Sequence, residues 1–337
     1  MGSAMSTITV SVRMIEAALQ HYQGGAGELE ALFRRHSVPL NLLERKQARI
    51  SAENYSALLQ GIMIAMGDEM LGYTRVPHRL GTWKIMCHAV ITAETLGEAL
   101  RRYCHFFSLF DWGMVPRLRV EGDEAVLTLT PTDPERPLEH YAHVSTLFYY
   151  HRFACWLVDY SIPILGVDFS CPQPFYAAEF FPMYRHAPVR CDQPVTRMRF
   201  SAAMLEEPLR QNRRTLENFL VNPNLVMVAR QFDQSSWQAR VRSIIQRDPE
   251  NMPGFEAVAD ELQLNPQTLR RRLKREGLTF NEVRNQLRRD LAIYHLSRSR
   301  DSVEEIGYRV GFAEPSNFIR AFRQWTGVTP YTYRKGR

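Results

Sequence analysis

Apolar residues recur at helical spacing near the front of the chain, with Val12, Ile15, Ala18 and Leu19 in one run and Leu29, Leu32 and Phe33 in the next. Ser51 to Met66 continues this pattern, with Ser51 as N-cap and Asn54 where a capping box would place Glu or Gln. A further helix starts at Thr95, whose cap is completed by Glu98 three residues on. The period then changes to two. Leu118-Arg119-Val120-Glu121 and the alternating run Ala125 to Thr130 flank Gly122-Asp123, which predicts a β-hairpin. Pro131 to Pro137 reads as a loop, Tyr141 to Tyr160 as a strongly apolar helix, and Ile164 to Ser170 and Thr196 to Phe200 as strands. The pattern weakens from Arg210 to Arg214, and Phe219 to Asp233 reads as a partly helical connector. The front is therefore expected to be α+β.

The last hundred residues contain a repeat. Phe255 to Leu264, then Asn265 to Leu273 and Gly277-Leu278-Thr279-Phe280, match Val303 to Phe312, then Glu314 to Phe322 and Gly327-Val328-Thr329-Pro330. Val258 and Leu262 correspond to Ile306 and Val310, and Leu269 and Leu273 to Phe318 and Phe322. Ala259 corresponds to Gly307, a small residue where two helices approach closely. Pro266 and Pro315 each stand at a helix's first turn, where the missing N–H costs nothing. Ser302 and Glu305 form a capping box. Each copy reads as helix, short turn, second helix, the layout whose second helix lies in the DNA major groove. Asn281 to Leu296 joins the copies as one stiff helix with Val283, Leu287, Leu291 and Tyr294 on a stripe. Such a strut suits two readers entering successive major grooves, about 34 Å apart.

With Leu269 and Leu273 facing inward, Gln267, Thr268, Arg270 and Arg271 face outward. In the second copy the outward set is Ser316, Asn317, Ile319 and Arg320. Arg grips guanine O6 and N7, and Gln or Asn pairs with adenine, so Gln267, Thr268, Arg270, Arg271, Ser316, Asn317 and Arg320 are the expected base contacts. Arg272, Lys274, Arg275 and Arg323 are expected at phosphates.

Charge strengthens this reading. From Trp237 onward 19 Lys and Arg stand against 12 Asp and Glu, whereas the other 236 residues carry 23 against 24. A basic back half suits a polyanion, and a solvated basic face or a protein-binding bundle would be the competing explanations. The chain has 337 residues, 45% hydrophobic and 23% charged, enough for two domains with sizeable cores. Met1-Gly2-Ser3-Ala4 reads as a cloning remnant before a start at Met5, and the apolar stretch Val144 to Val167 is interrupted by His151, Arg152 and Asp159, too polar for a membrane span. The five cysteines include no Cys-x-x-Cys pair, which argues against a disulfide framework or zinc cluster and fits a reducing cytoplasm.

The segment from about Trp237 to Tyr333 resembles the DNA-binding domain of the AraC/XylS family of transcription regulators. The carrying residues are Ile306 to Phe312, Pro315-Ser316-Asn317-Phe318, Arg320-Ala321-Phe322, Gly327 to Pro330 and Tyr333-Arg334. Arg288-Arg289, where the family has Arg then Leu, and Phe280, where Pro or a small residue is common, depart from it. In front, Thr95 to Arg102, Val167-Asp168-Phe169, Pro172 to Pro188 and Phe200 to Leu205 resemble the α+β, non-cupin regulatory domain of one AraC-type branch. The resemblance implies an α+β regulatory domain over residues 5–210, a connector over 211–236 and an all-α domain over 237–337. Its two helix-turn-helix units cover about 255–276 and 303–326, joined by a linker helix. It also implies promoter DNA, a small-molecule effector and RNA polymerase as partners, homodimerisation, activation of transcription and no cofactor.

For the effector, Trp83, Phe106, Phe107, Phe110 and Trp112 could line a pocket, and Phe148, His151, Arg152 and Cys155 lie within helical reach of each other. Trp83, Phe106, Phe110, Phe148, His151 and Arg152 are the expected effector residues, Arg152 holding a ligand carboxylate. The competing reading pairs Arg152 with Asp159 or Asp168. His140-x-x-His143 with His151 lacks a carboxylate or thiol at ligand spacing, so no metal site is expected. No phosphate-binding, nucleophile-elbow or zincin motif is present, so no enzyme is expected. Control by a protein partner and a fusion of alkyl-transfer repair with regulation are the other functions considered.

Overall fold

The computed structural model of the chain describes residues 8–184, 187–230 and 236–335. The expected start at Met5, the last residues of the expected connector before Ser236, and Arg337 lie outside them. Close packing divides the described chain into two units. One comprises residues 8–15, 25–58 and 236–335, the other Glu16–Gly24 and residues 59–230.

In the first unit β1 (Thr9–Ser11) pairs antiparallel with β2 (Arg49–Ser51), Val10 opposite Ile50. The helix Ala26–Arg35 precedes β2, and Ser51, accepting from the Asn54 amide at 3.2 Å, caps the start of the helix Ala52–Met66, of which residues 52–58 belong to this unit. Seven helices follow from Ser236, beginning with Trp237–Ile245. The first tandem pair is Phe255–Glu261 with Pro266–Arg275, and the second is Val303–Arg309 with Pro315–Thr326. The linker helix Phe280–Arg298 joins them, and Pro330–Lys335 closes the chain. Its cap is a full box: the Thr279 amide donates to Glu282 Oε2 at 2.6 Å and the Glu282 amide to Thr279 Oγ1 at 3.3 Å.

This unit draws on both ends of the chain. Residues 8–15 and 25–58, which fall within the expected sensing domain of 5–210, pack in the unit that carries the tandem helix pairs. The reason is a buried polar tie. Asp290, 5% exposed on the linker helix, accepts from Thr9 Oγ1 at 2.8 Å, from Arg242 at 3.0 Å and from Arg289 at 3.1 Å. The Tyr333 hydroxyl donates to the Arg49 carbonyl at 3.2 Å.

The second unit is built on a five-stranded sheet. β3 (Met114–Glu121) and β4 (Glu124–Pro131) form the hairpin around Gly122-Asp123. β5 (Ile164–Asp168), β6 (Val189–Arg190) and β7 (Thr196–Ser201) complete the order β3-β4-β7-β5-β6. Pairing is antiparallel except between β5 and β6. Thr196, Met198 and Phe200 alternate inward along β7. The helices Leu96–Ser108 and His140–Val158 pack on this sheet, the first capped by Thr95 accepting from the Glu98 amide. The helix His140–Val158 is buried on nearly every face, so its sequence shows no stripe. The expected connector is largely two helices of this unit, Arg213–Val221 and Pro223–Ala229, each started by an asparagine cap.

Candidate nucleic-acid interface and effector cavity

In the first helix pair the Asn265 side chain accepts from the Gln267 amide at 2.8 Å, and Pro266 opens the second helix. Leu269 and Leu273 are buried, which turns Gln267, Arg270, Arg271, Lys274 and Arg275 out to solvent. Thr268 is half-buried. Arg272, expected at a phosphate, is half-buried, with its guanidinium 4.0 Å from the centre of the Trp237 ring, which Arg240 also approaches at 4.3 Å. Stacking on a tryptophan face holds a desolvated cation. The Arg270 guanidinium carbon lies 5.4 Å from the centre of the Phe255 ring, and the residue stays exposed.

In the second pair Ser302 and Glu305 form the expected box, the Glu305 amide donating to Ser302 Oγ at 3.1 Å and the Ser302 amide to Glu305 Oε2 at 2.6 Å. Phe318 and Phe322 are buried, and Ser316, Asn317, Arg320 and Arg323 are exposed, with Ile319 half-buried. Gly307 meets Phe318 so closely that a Cβ there would lie 3.2 Å from its ring. The exposed Arg271, Lys274, Arg275, Arg320 and Arg323 have no carboxylate within 4.0 Å among the described residues, whereas Arg309 pairs with Asp301 at 3.3 Å. Uncompensated cations on the two exposed second helices make a surface that attracts a polyanion.

The other unit holds a cavity of about 330 Å³. Its wall is aromatic, with Trp83, Tyr103, Phe107, Trp112, Tyr141 and Tyr149 on it. Two adjacent acids shape one side. Asp68, 3% exposed, accepts from the amides of Met70, Gly72 and His78 at 2.7–2.9 Å, which folds the loop from Met70 to His78. Glu69 accepts from the amides of Gly81 and Trp83, both at 2.8 Å, at the start of the helix Thr82–Val90. Burial raises the Glu69 pKa above its ordinary value, against the pull of those amides. His78 is 6% exposed, its ring 3.9 Å from that of Trp112, and burial lowers its pKa to about 4. It is a neutral imidazole at neutral pH.

Of the six expected effector residues, the structure places Trp83 on the cavity wall and the other five elsewhere. Phe110 is 51% exposed and stacks on Trp112, and Phe106 packs beside both. Phe148, His151 and Arg152 lie off the face of their helix that lines the cavity. That face carries Tyr141, Ser145 and Tyr149, spaced four apart. His151 Nε2 is 2.8 Å from the Ile162 carbonyl oxygen. Arg152 donates to the carbonyls of Met227, at 2.5 Å, and Arg230, and so holds the end of the helix Pro223–Ala229. Asp159, named as its alternative partner, pairs with Arg230, and Asp168 pairs with Arg190 and Arg197. His140 lies 2.9 Å from the Tyr176 hydroxyl. The sequence reading missed Glu69, His78, Tyr103, Tyr149 and Met227. The acid pair between Gly67 and Gly72 was the available signal for the first two.

Comparison with known proteins adds to this geometry. The family described as "Arabinose-binding domain of AraC transcription regulator, N-term" matches residues 27–209, and "Helix-turn-helix domain" matches residues 258–336. The ornithine utilization regulator of Pseudomonas aeruginosa is 26% identical over 97% of this chain and 96% of its own. The transcriptional activator CfaD of Escherichia coli is 32% identical over 30% of this chain and 40% of its own. The crystal structure of the transcriptional regulator CdpR from Pseudomonas aeruginosa aligns with 96% of this chain and 97% of its own, at 21% identity and a TM-score of 0.34.

Proposed function

The chain belongs to the AraC family of transcription regulators, and we propose that it reads promoter DNA chiefly through its first helix pair, under control of a small molecule held in the aromatic cavity. It is a DNA-binding transcription regulator with an arabinose-binding-type front domain and a helix-turn-helix back domain. The observation that carries the finer reading is the exposed row Arg271, Lys274 and Arg275 beside Gln267 and Arg270, with no carboxylate paired to the row among the described residues.

Gln267, Thr268, Arg270 and Arg271 are the base readers of the first pair, and Ser316, Asn317 and Arg320 those of the second. The first offers two arginines and a glutamine, so it carries most of the base discrimination, and the second supplies anchoring and register. Lys274, Arg275 and Arg323 bind phosphate, while Arg272 braces the reader helix through Trp237. Binding as a homodimer, activation through RNA polymerase and cytoplasmic action complete the reading. The likeness to a named activator supports activation.

The test is anisotropy titration with promoter and random DNA. Arg271→Ala is expected to cost about 1–3 kcal/mol on the cognate site and to relax base choice, and Lys274→Ala to weaken all sequences alike and flatten the salt dependence. Equal effects of both variants on cognate and random DNA would remove the assignment.

A further inference from the structure

We propose that the cavity takes an uncharged, mainly apolar ligand that lays a flat ring against the aromatic wall and makes one hydrogen bond at Nε2 of His78. This rests on the reading of the cavity as the effector site.

Three observations carry it. The first is the wall itself. Trp83 meets Tyr103 and Tyr149 edge-on, with ring centres 6.3 and 6.1 Å apart, and His78, Phe107 and Trp112 form a second ring cluster. Faces of this kind suit a planar apolar body. Where the lining meets solvent, Ile64 at 59% and Leu80 at 49% exposure add apolar side chains beside Gln60 and Lys84.

The second is the distribution of charge. Glu69 and Lys84 carry the formal charges of the lining. Both Glu69 oxygens already accept backbone amides, and Lys84 is exposed to solvent. A zwitterionic or diamino ligand would have to share Glu69 with the Gly81 and Trp83 amides and reach Lys84 at the exposed rim, and an ion left unpaired is costly to bury.

The third is His78. It lines the cavity, is 6% exposed, and its Nε2 has no hydrogen-bond partner among the described residues. Two other polar groups of the lining are engaged within the protein: Ser145 donates to the Tyr141 carbonyl at 2.6 Å, and Asn224 accepts from the Tyr149 hydroxyl at 3.3 Å. Buried polar groups are ordinarily satisfied, so Nε2 marks where a ligand hydroxyl, amide or ring N–H belongs.

The full chain would be titrated with N-phenyl-1-naphthylamine, an uncharged aromatic fluorophore, and the probe displaced with 2-naphthol, naphthalene, L-ornithine and L-lysine. One probe per chain is expected, displaced by both naphthalenes but by neither amino acid at millimolar concentration. 2-Naphthol should bind about 5- to 10-fold more tightly than naphthalene, the worth of one hydrogen bond. His78→Phe keeps the ring stack and should bring that ratio to about one while naphthalene binding survives. Equal affinities in the wild-type chain overturn the His78 contact whether or not the variant folds, as does an unchanged ratio in a folded variant. Displacement by either amino acid, or no probe binding, overturns the ligand class. The effector reading is tested separately: if Met227→Trp, which fills the cavity, leaves promoter regulation in cells unchanged, that reading falls as well.

Discussion

Asp290 is a single carboxylate holding Thr9, Arg242 and Arg289. The Arg242 side chain is 8% exposed, so removal of Asp290 takes this carboxylate away from a buried cation. Asp290→Ala should destabilise this unit by about 3–5 kcal/mol, read from urea unfolding followed by tryptophan fluorescence. His78 gives a pH dependence. Its pKa falls to about 4 in the folded chain, so between there and the ordinary ~6.5 the unfolded chain binds more protons. Stability from this group is full above that window and is lost as pH falls through it, by up to about 1.4 kcal/mol per pH unit. His78→Phe should remove that part of the slope in denaturant midpoints measured from pH 7 to 4.5. An unchanged slope would mean that His78 is solvated. Single residues also mark where sequence reasoning stopped. Arg152 invites a ligand carboxylate, because an Arg in so apolar a helix needs a partner, but its partners include the Met227 and Arg230 carbonyls. No local pattern announces a backbone acceptor 75 residues away.

At the scale of elements, the turns and caps of the tandem pairs were legible because their signals are local. Ser302 caps with Glu305 as the sequence suggests, and Pro266 and Pro315 open the helices they were assigned to. Within each pair the turn passes through a left-handed residue, Gln263 at φ 56° and Gly311 at φ 81°. The two positions differ in space: a Cβ at Gly311 would lie 2.9 Å from the Pro249 carbonyl oxygen. Gly311→Ala should therefore cost about 1–3 kcal/mol in thermal or urea unfolding, while Gln263→Gly should change stability far less. The helix His140–Val158 shows the opposite case. Its existence follows from a long apolar run, but burial on almost every face erases the phase that would tell the cavity side from the rest. The apolar run does not separate residues 148, 151 and 152 from 141, 145, 146 and 149, which line the cavity.

For the whole molecule, charge and packing divide the chain differently. The basic excess lies from Trp237 onward, yet the unit containing that stretch also contains residues 8–15 and 25–58. A fragment starting at Trp237 would lack Thr9 on Asp290 and the Arg49 carbonyl on Tyr333. Amides of its linker helix from Val283 to Leu296 should exchange with deuterium at least about tenfold faster than in the full chain. Equal exchange would show that the front strands add nothing to this helix.

The sequence alone determined the repeated helix pairs, their caps, the outward Gln and Arg set and the basic back half, because each rests on neighbours within one or two helical turns. Tertiary structure decided that the front strands belong with the linker helix, that Arg272 stacks on Trp237, and that the cavity is walled by residues from Gln60 to Met227. Those outcomes depend on pairings between residues tens to hundreds of positions apart. Such pairings are selected by burial and by the satisfaction of buried polar groups in the folded chain, which leave no periodic trace along it.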